Sequence, residues 1–144
     1  MDVELKPYQP LYQDDLVALW ELCELTRSWN DPYRDIERKL LHDGENLLIL
    51  EKDGELIGSI MIGYDGHRGW INFLAVHPNH RSSGFGRLLV EEAKNRLEKM
   101  GCAKLNLQVR SSNEEAVDFY RHIGFVVDDV VGMGIGLQRD ATSQ

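Results

Sequence analysis

The stretch from residue 80 to residue 87 reads His80-Arg81-Ser82-Ser83-Gly84-Phe85-Gly86-Arg87. An apolar run at residues 70–76 precedes it, and a helical pattern begins within it. The first N–H groups of a helix have no intrahelical partner, and the helix dipole places about half a positive charge at that end. The glycines allow close approach of a ligand, and the arginines add charged donors. The stretch therefore predicts an anion site at a strand-to-helix turn.

Two common phosphate-binding loops do not fit these residues. The dinucleotide fingerprint requires a third glycine at the position of Leu89. The nucleoside-triphosphate loop requires Gly-Lys-Ser or Gly-Lys-Thr, and neither tripeptide occurs in the chain. A turn whose glycines only relieve backbone strain remains an alternative on these residues alone.

Hydrophobic periodicity predicts the elements on either side of this turn. Strands are predicted at residues 3–6, 46–51, 55–64, 70–76, 104–110, 126–131 and 133–137, and helices at 13–25, 35–42, 84–100 and 113–123. Asp53-Gly54 is a strong hairpin signal, and Ser112 and Glu115 have the spacing of a capping box. Hairpins mixed with crossovers predict an α+β fold of three layers, α/β/α. Its sheet is mixed and mostly antiparallel, with six to seven strands and about four flanking helices.

Length and composition predict a single domain over residues 1–144. No apolar run approaches the roughly 18 residues of a membrane span, and the N-terminus lacks a signal-peptide pattern. We therefore expect a cytoplasmic protein with no membrane partner. Cys23 and Cys102 stand apart, without the spacing of a disulfide framework or a zinc site, so no metal is expected.

The charge distribution favours a small anionic ligand over nucleic acid. The formal net charge is −8, and phosphate backbones are bound by clustered basic residues. Residues 67–110 nevertheless contain eight basic and three acidic residues, a local balance of +5 that leaves −13 for the remainder. An uneven distribution of solvated charges is the alternative explanation.

Two blocks of sequence together resemble a known family. The first is Leu74-Ala75-Val76-His77-Pro78 with Arg81-Ser82-Ser83-Gly84-Phe85-Gly86, and the second runs from Asn113 to Phe125. In this order and spacing they are similar to the conserved blocks of the GNAT superfamily of N-acetyltransferases, and in particular to the bacterial YpeA-type acetyltransferases. The resemblance implies the GNAT-like acyl-CoA N-acyltransferase fold. It also implies transfer of acetyl from acetyl-CoA, as cosubstrate, directly to an amine of a small molecule or peptide, in a ternary complex without a covalent enzyme intermediate.

The resemblance implies roles for individual residues. The backbone of Leu74, Ala75 and Val76 would contact the acetyl-pantetheine arm. The pyrophosphate would be held by Arg81, Ser82, Ser83, Gly84, Phe85, Gly86 and Arg87. Asn113 would contact the pantetheine, and Tyr120 would be the catalytic acid that protonates the departing thiolate. The alternative for Asn113 is a helix cap beside Ser112, and the alternative for Tyr120 is core packing on the apolar face of its helix.

The general base is left open. In the family branch that acetylates protein N-termini, a Glu often precedes the Asn by five residues, and Gln108 stands there instead. An amide cannot accept a proton in this role, which leaves Asp65, His67 or a water relay. Trp29 and Asp31 are candidates for the acceptor pocket, as an aromatic wall and an ammonium ligand.

Three alternatives follow from the same residues. A catalytically inactive CoA-binding regulatory module would explain Gln108, and a protein N-terminal acetyltransferase would use a peptide acceptor. A purely structural interaction domain would bind no acetyl-CoA. The identity of the amine, the acyl-chain preference and the oligomeric state are not fixed by the sequence, and a homodimer is one option.

Overall fold

We describe residues 3–138 of a computed structural model of the chain. One mixed sheet has the strand order β1-β2-β3-β4-β5. Its strands are β1 (Val3–Pro7), β2 (Leu47–Lys52), β3 (Glu55–Tyr64), β4 (Gly69–Val76) and β5 (Leu105–Leu107). The first four pair antiparallel with their neighbours, and β5 pairs parallel with β4. The predicted mixed, mostly antiparallel sheet is confirmed.

Helices cover both faces of this sheet, as the predicted three layers require. They are α1 (Gln13–Leu22), α2 (Pro32–Asp43), α3 (Phe85–Lys99) and α4 (Glu114–His122). One buried cluster joins α1 and α2 to the sheet around Trp20, and the other joins α3 to the sheet around Phe85. The strand β2 alternates between them, with Leu48 and Leu50 facing α3. The α+β class predicted from the sequence is confirmed. None of the helices within residues 3–138 has both the length and the apolar character needed to span a bilayer.

The number of strands differs from the prediction of six to seven. No strand forms at residues 126–131 or 133–137, and β5 covers three residues where seven were predicted. A strand needs a partner edge for its backbone groups, and apolar alternation alone does not supply one. Gly132, Gly134 and Gly136 further weaken this part of the chain as a strand.

Two helix boundaries also differ, for local reasons. The helix α1 ends at Leu22, three residues early, because Glu24 adopts a left-handed φ of 58°. The helix α2 begins three residues early at Pro32, with the Asp31 carboxylate accepting from the Tyr33 N–H at 2.9 Å. Proline is favoured in the first helical turn, where its missing N–H removes no bond.

Candidate functional site

The strands β4 and β5 separate after a short paired stretch, and the space beyond their last pair is called the cleft below. The two strands pair over three residues only, from Gly69 opposite Leu105 to Ile71 opposite Leu107. Beyond Ile71, β4 continues to Val76, and within residues 3–138 no strand lies along its outer edge. The second half of β4 therefore has backbone groups that a ligand can pair with.

The direction of these backbone groups follows from the sheet register. The His77 N–H donates to the Ile57 carbonyl at 2.8 Å, and Ala75 is opposite Ser59. By alternation, Leu74 and Val76 direct their backbone groups to the open side, while Ala75 directs its own toward β3. Of the three residues proposed to contact the pantetheine arm, Leu74 and Val76 therefore direct their backbone groups to the open edge, and Ala75 pairs with β3.

A bulge in β4 lies beside the cleft. The register shifts because Asn72 is opposite Met61 but Ala75 is opposite Ser59. Within the bulge, Phe73 has a φ of 50°, a left-handed conformation that is costly for a large side chain and persists only where its surroundings fix it.

The bulge is held by a cluster of three side chains. The Trp20 ring stacks on Phe73 with 3.8 Å between centroids. The Trp20 indole N–H donates to the Ser59 hydroxyl at 2.9 Å, and this hydroxyl donates to the Phe73 carbonyl at 2.8 Å. Trp20 and Ser59 are fully buried, so these bonds are shielded from water. The cluster fixes the backbone at the point where β4 leaves β5.

The anion turn has the backbone geometry that the sequence predicts. Ser82 and Gly84 have left-handed φ values of 66° and 84°. No side chain caps α3, and the Leu88 N–H makes the first helical bond, to the Gly84 carbonyl at 3.0 Å. The preceding N–H groups of α3 have no earlier helical carbonyl to bond. Nothing lies within 4 Å of a Cβ placed on Gly84, so this end of the helix is open to a ligand.

The predicted anion-binding residues divide into those exposed at the helix end and those packed against the rest of the protein. Ser82, Ser83 and Arg87 are exposed around the helix end. Phe85 is buried in the core at 2% exposure, so only its backbone can serve the site. Gly86 lies close to α4, because a Cβ there would be 3.0 Å from the Phe119 ring, tighter than ordinary van der Waals contact.

Arg81 lies between the turn and the strand edge. Its Nε donates to the Val76 carbonyl at 3.1 Å, and its Nη2 lies 3.6 Å from the Cys23 sulfur. The Cys23 thiol also points to the Val76 carbonyl at 3.5 Å. The Val76 carbonyl at the strand edge thus accepts a hydrogen bond from Arg81, a side chain predicted to bind phosphate.

Tyr120 and Asn113 both have structural contacts. The Tyr120 ring packs edge-on against Phe119 and Phe125, and burial raises the pKa of its hydroxyl to about 12. The Asn113 side-chain oxygen accepts from the Ala116 N–H at 3.1 Å and caps α4. The capping-box spacing predicted Ser112 as the cap of this helix, and the structure has Asn113 in that role. The ligand roles of Tyr120 and Asn113 stay predictions.

The two candidate bases named from the sequence lie at the other end of β4. Asp65 accepts from the backbone N–H groups of His67 and Arg68 and from the Trp70 indole N–H. The first two bonds are the main reason that its pKa is lowered. This hairpin turn precedes Gly69, four residues or about 13 Å along the strand from Phe73. Asp65 therefore stabilises the turn, and His67 is equally remote from the bulge.

A second cavity adjoins the bulge on the α2 side. It has a volume of about 480 Å³ and is lined by Asn30, Asp35, Arg38, Lys39, His42, Met61, Asn72 and Phe73. The titratable members come from one face of α2, at helical spacing. Lys39 is buried, donates to the Ile62 carbonyl and pairs with Asp43 at 2.6 Å. Asp35 and His42 are seven residues apart on this face of α2, inside the helix predicted at residues 35–42, and the sequence analysis did not single them out.

The loop between α1 and α2 reaches the chain after β5. The Trp29 ring lies 5.5 Å from the Arg110 guanidinium, a cation–π contact, and Trp29 stays 40% exposed. The role of Trp29 as an aromatic wall of the acceptor pocket stays a prediction. Asp31 serves as the α2 cap.

The Asp65 turn has a testable pH dependence. A carboxylate whose pKa is lowered by folding stabilises the protein above its unfolded pKa of about 3.9, and this stabilisation is lost as the pH falls through the folded value. Asp65→Asn should therefore lower the melting temperature at pH 7, and the difference from the unmodified protein should shrink below about pH 4. Thermal unfolding from pH 2.5 to 7 would measure it. A difference that stays constant with pH would contradict the assignment.

Comparison with known proteins covers most of the chain. The sequence profile of the Acetyltransferase (GNAT) family matches residues 10–125. A protein of Yersinia pestis (strain Pestoides F) named acetyltransferase is 41% identical over 132 residues, which is 92% of this chain and 94% of that protein. An acetyltransferase of Sodalis glossinidius (strain morsitans) is 44% identical over 118 residues, 82% of this chain and 83% of that one.

Solved structures share the fold at lower identity. Arabidopsis thaliana Naa50, in complex with the bisubstrate analogue CoA-Ac-MVNAL, superposes with a TM-score of 0.74 and 23% identity over 90% of this chain and 86% of that chain. A chain of the NatC complex bound to Gag peptide and CoA has a TM-score of 0.71 and 24% identity over 88% and 86% of the two chains.

Proposed function

Because the chain belongs to the Acetyltransferase (GNAT) family, we propose that it transfers an acetyl group from acetyl-CoA directly to an amine, in a ternary complex without a covalent enzyme intermediate. One observation carries the proposal: the open edge of β4 leads directly to the uncapped start of α3. An extended ligand ending in a pyrophosphate needs both features in this order. Naa50 and NatC, which share the fold, were solved with CoA-containing ligands.

The cofactor would lie along β4 with its pyrophosphate at the turn. Leu74 and Val76 would pair with the pantetheine amides, and the α3 amides with Ser82 and Arg87 would bind the phosphates. Arg81 now occupies the Val76 carbonyl. On binding, a pantetheine N–H would take over that carbonyl, and the guanidinium would turn to the pyrophosphate, where charge-assisted bonds are stronger.

The bulge and Tyr120 would act on the thioester. Amine attack on the acetyl carbonyl forms a tetrahedral oxyanion, and backbone N–H groups fixed at the bulge would stabilise it. The attacking nitrogen loses its second proton, collapse breaks the C–S bond, and the CoA thiolate that leaves takes up a proton from water. Tyr120, with a pKa of about 12, keeps its proton at neutral pH. Full transfer to a thiolate with an ordinary thiol pKa of about 8.5 would be unfavourable by about 5 kcal/mol. Tyr120 would therefore act as a hydrogen-bond donor that stabilises the leaving thiolate.

The acceptor amine would enter from the α2 cavity. This cavity reaches the bulge residue Phe73, where the acetyl group would lie. Asp35 and His42 would remove the ammonium proton, directly or through water, in place of the glutamate that Gln108 replaces. The cavity combines acidic with basic side chains, which fits an acceptor that carries polar groups beside its amine.

Acetyl transfer can be tested directly. Incubation with acetyl-CoA and a panel of amines, amino acids and peptides should release free thiol with at least one acceptor. An inactive CoA-binding module, favoured by Gln108, would show a thermal shift with acetyl-CoA but no turnover with any acceptor. Absence of both signals would overturn the proposal. Peptide acceptors test the N-terminal acetyltransferase alternative.

The anion turn can be tested with a matched pair of glycines. Gly84 and Gly54 have φ values of 84° and 81°, and neither has atoms within 4 Å of an added Cβ. An alanine at either position should cost about 1–2 kcal/mol of stability through the left-handed backbone. Only Gly84→Ala should also weaken acetyl-CoA binding, by roughly tenfold or more, because its Cβ points into the anion site. Calorimetric titration would measure both affinities, and equal losses would refute the placement.

Tyr120→Phe separates a chemical role from a packing role. Loss of one hydrogen bond to a charged group costs about 1.5–3 kcal/mol, so kcat should fall roughly ten- to hundredfold while acetyl-CoA affinity changes little. Tyr8→Phe, at a buried tyrosine of the other core cluster, is the control and should leave kcat unchanged. A similar kcat in the two variants would exclude the role of Tyr120.

A further inference from the structure

Two buried side chains form a chain of hydrogen bonds that ends on the backbone of the bulge. The Trp20 indole N–H donates to the Ser59 hydroxyl, which donates in turn to the Phe73 carbonyl. An indole N–H can only donate, so the direction of both bonds is fixed and the hydroxyl proton goes to the carbonyl. The chain of bonds therefore runs from α1 through β3 to β4.

The Phe73 carbonyl shares its peptide unit with the Leu74 N–H. This unit is trans, and in a trans unit the C=O and N–H groups lie in one plane and point in opposite directions. Ser59 lies on β3, so a carbonyl bonded to its hydroxyl directs the Leu74 N–H away from β3. The Leu74 N–H is therefore directed to the open edge of β4, as the strand register also indicates.

The sheet ladder does not fix this peptide unit. Between the pair of Asn72 with Met61 and the pair of Ala75 with Ser59, two residues of β4 lie opposite a single residue of β3. A left-handed backbone at Phe73 persists only where its surroundings hold it. The Ser59 hydroxyl and the stacked Trp20 ring are the contacts that hold it.

We propose that Ser59 and Trp20 are positioning residues that aim the Leu74 N–H at the thioester carbonyl oxygen of acetyl-CoA. The inference rests on the proposed acetyl transfer. That oxygen takes the negative charge when the amine nitrogen bonds to the acetyl carbon, and an N–H held in place beforehand stabilises the intermediate. The Ser59 bond also polarises the peptide unit, because hydrogen bonds in a chain strengthen one another where water is excluded.

Ser59→Ala tests the hydroxyl. The kcat for thiol release should fall roughly ten- to hundredfold, because the N–H loses its fixed direction. Calorimetric titration should show acetyl-CoA affinity changed by less than about threefold, since the contacts of its other groups remain. Leu97→Val, beside Gly69 at the other end of β4, is the control for stability. It should lower the melting temperature and leave kcat unchanged. A kcat in Ser59→Ala within about twofold of the unmodified protein would overturn the proposal.

A double variant tests whether Trp20 acts through Ser59. Ser59→Ala leaves the buried indole N–H without its acceptor, which is destabilising in itself. Trp20→Phe combined with Ser59→Ala removes both groups and keeps an aromatic ring against Phe73. Trp20→Phe alone should lower kcat roughly two- to fivefold, and the double variant should have the kcat of Ser59→Ala. Independent effects that multiply in the double variant would contradict the chain of bonds.

Infrared spectroscopy measures the aimed N–H without turnover. With acetyl-CoA carrying carbon-13 at the thioester carbonyl, the stretching frequency should be lower in the bound than in the free state, because a hydrogen bond weakens the C=O bond. Ser59→Ala should lose about half of this shift or more, and Leu97→Val should keep it. An equal shift in Ser59→Ala and the unmodified protein would overturn the proposal.

The two measurements separate this proposal from acetyl transfer itself. Thiol release by the unmodified protein, with kcat and thioester frequency unchanged in Ser59→Ala, overturns the positioning role and leaves acetyl transfer standing. Bound acetyl-CoA without turnover overturns acetyl transfer, and the thioester frequency then decides whether the N–H is aimed. A protein that neither binds acetyl-CoA nor releases thiol overturns both.

Discussion

The structure depends on leaving one edge of β4 open over the second half of that strand, while the other edge stays paired with β3. A strand edge inside a protein normally finds a partner, because unbonded backbone groups are costly away from water. Here β4 has no partner on the β5 side after Ile71, and the bulge at Phe73 follows this last pair by two residues. The stack of Trp20 on Phe73, with the bonds through Ser59, holds that conformation from the opposite face. Without this cluster, β4 would lose the bulge at the point where it separates from β5.

The helix α3 begins close to the open edge of β4. The strand ends at Val76, a short turn follows, and the helix begins at Phe85 with no capping side chain. Backbone groups on the edge of β4, which can pair with amides, are thus followed at once by N–H groups at the start of α3, which can bind phosphate. The Arg81 bond to the Val76 carbonyl couples the two regions, since a side chain of the turn bonds a backbone group at the strand edge.

The sequence predicts the parts of the fold that local rules decide. The hairpin at Asp53-Gly54, the long helix α3 and the two helices of the opposite face follow from turn residues and apolar spacing, and the anion turn follows from its glycines. The bulge has no such signal, because Phe73 is not a residue that favours a left-handed backbone, and its conformation depends on Trp20, 53 positions away. The strands predicted at 126–137 are wrong for a related reason, since pairing is decided by a neighbour that apolar alternation cannot specify. The α2 cavity was missed because the pattern of residues 35–42 predicts the helix but does not specify which strand residues its polar face meets, here Met61, Asn72 and Phe73.

The contact between Gly86 and the Phe119 ring has a consequence for how this protein can change over generations. A Cβ at position 86 would lie 3.0 Å from the ring, closer than ordinary van der Waals contact, so the half-buried ring would have to shift by a few tenths of an ångström. Substitutions at these two positions are therefore linked: a residue at 86 that is larger than alanine fits more easily in a lineage that has already reduced residue 119. Among relatives, the two positions should vary together, so the anion turn and the helix of Tyr120 form one inherited unit.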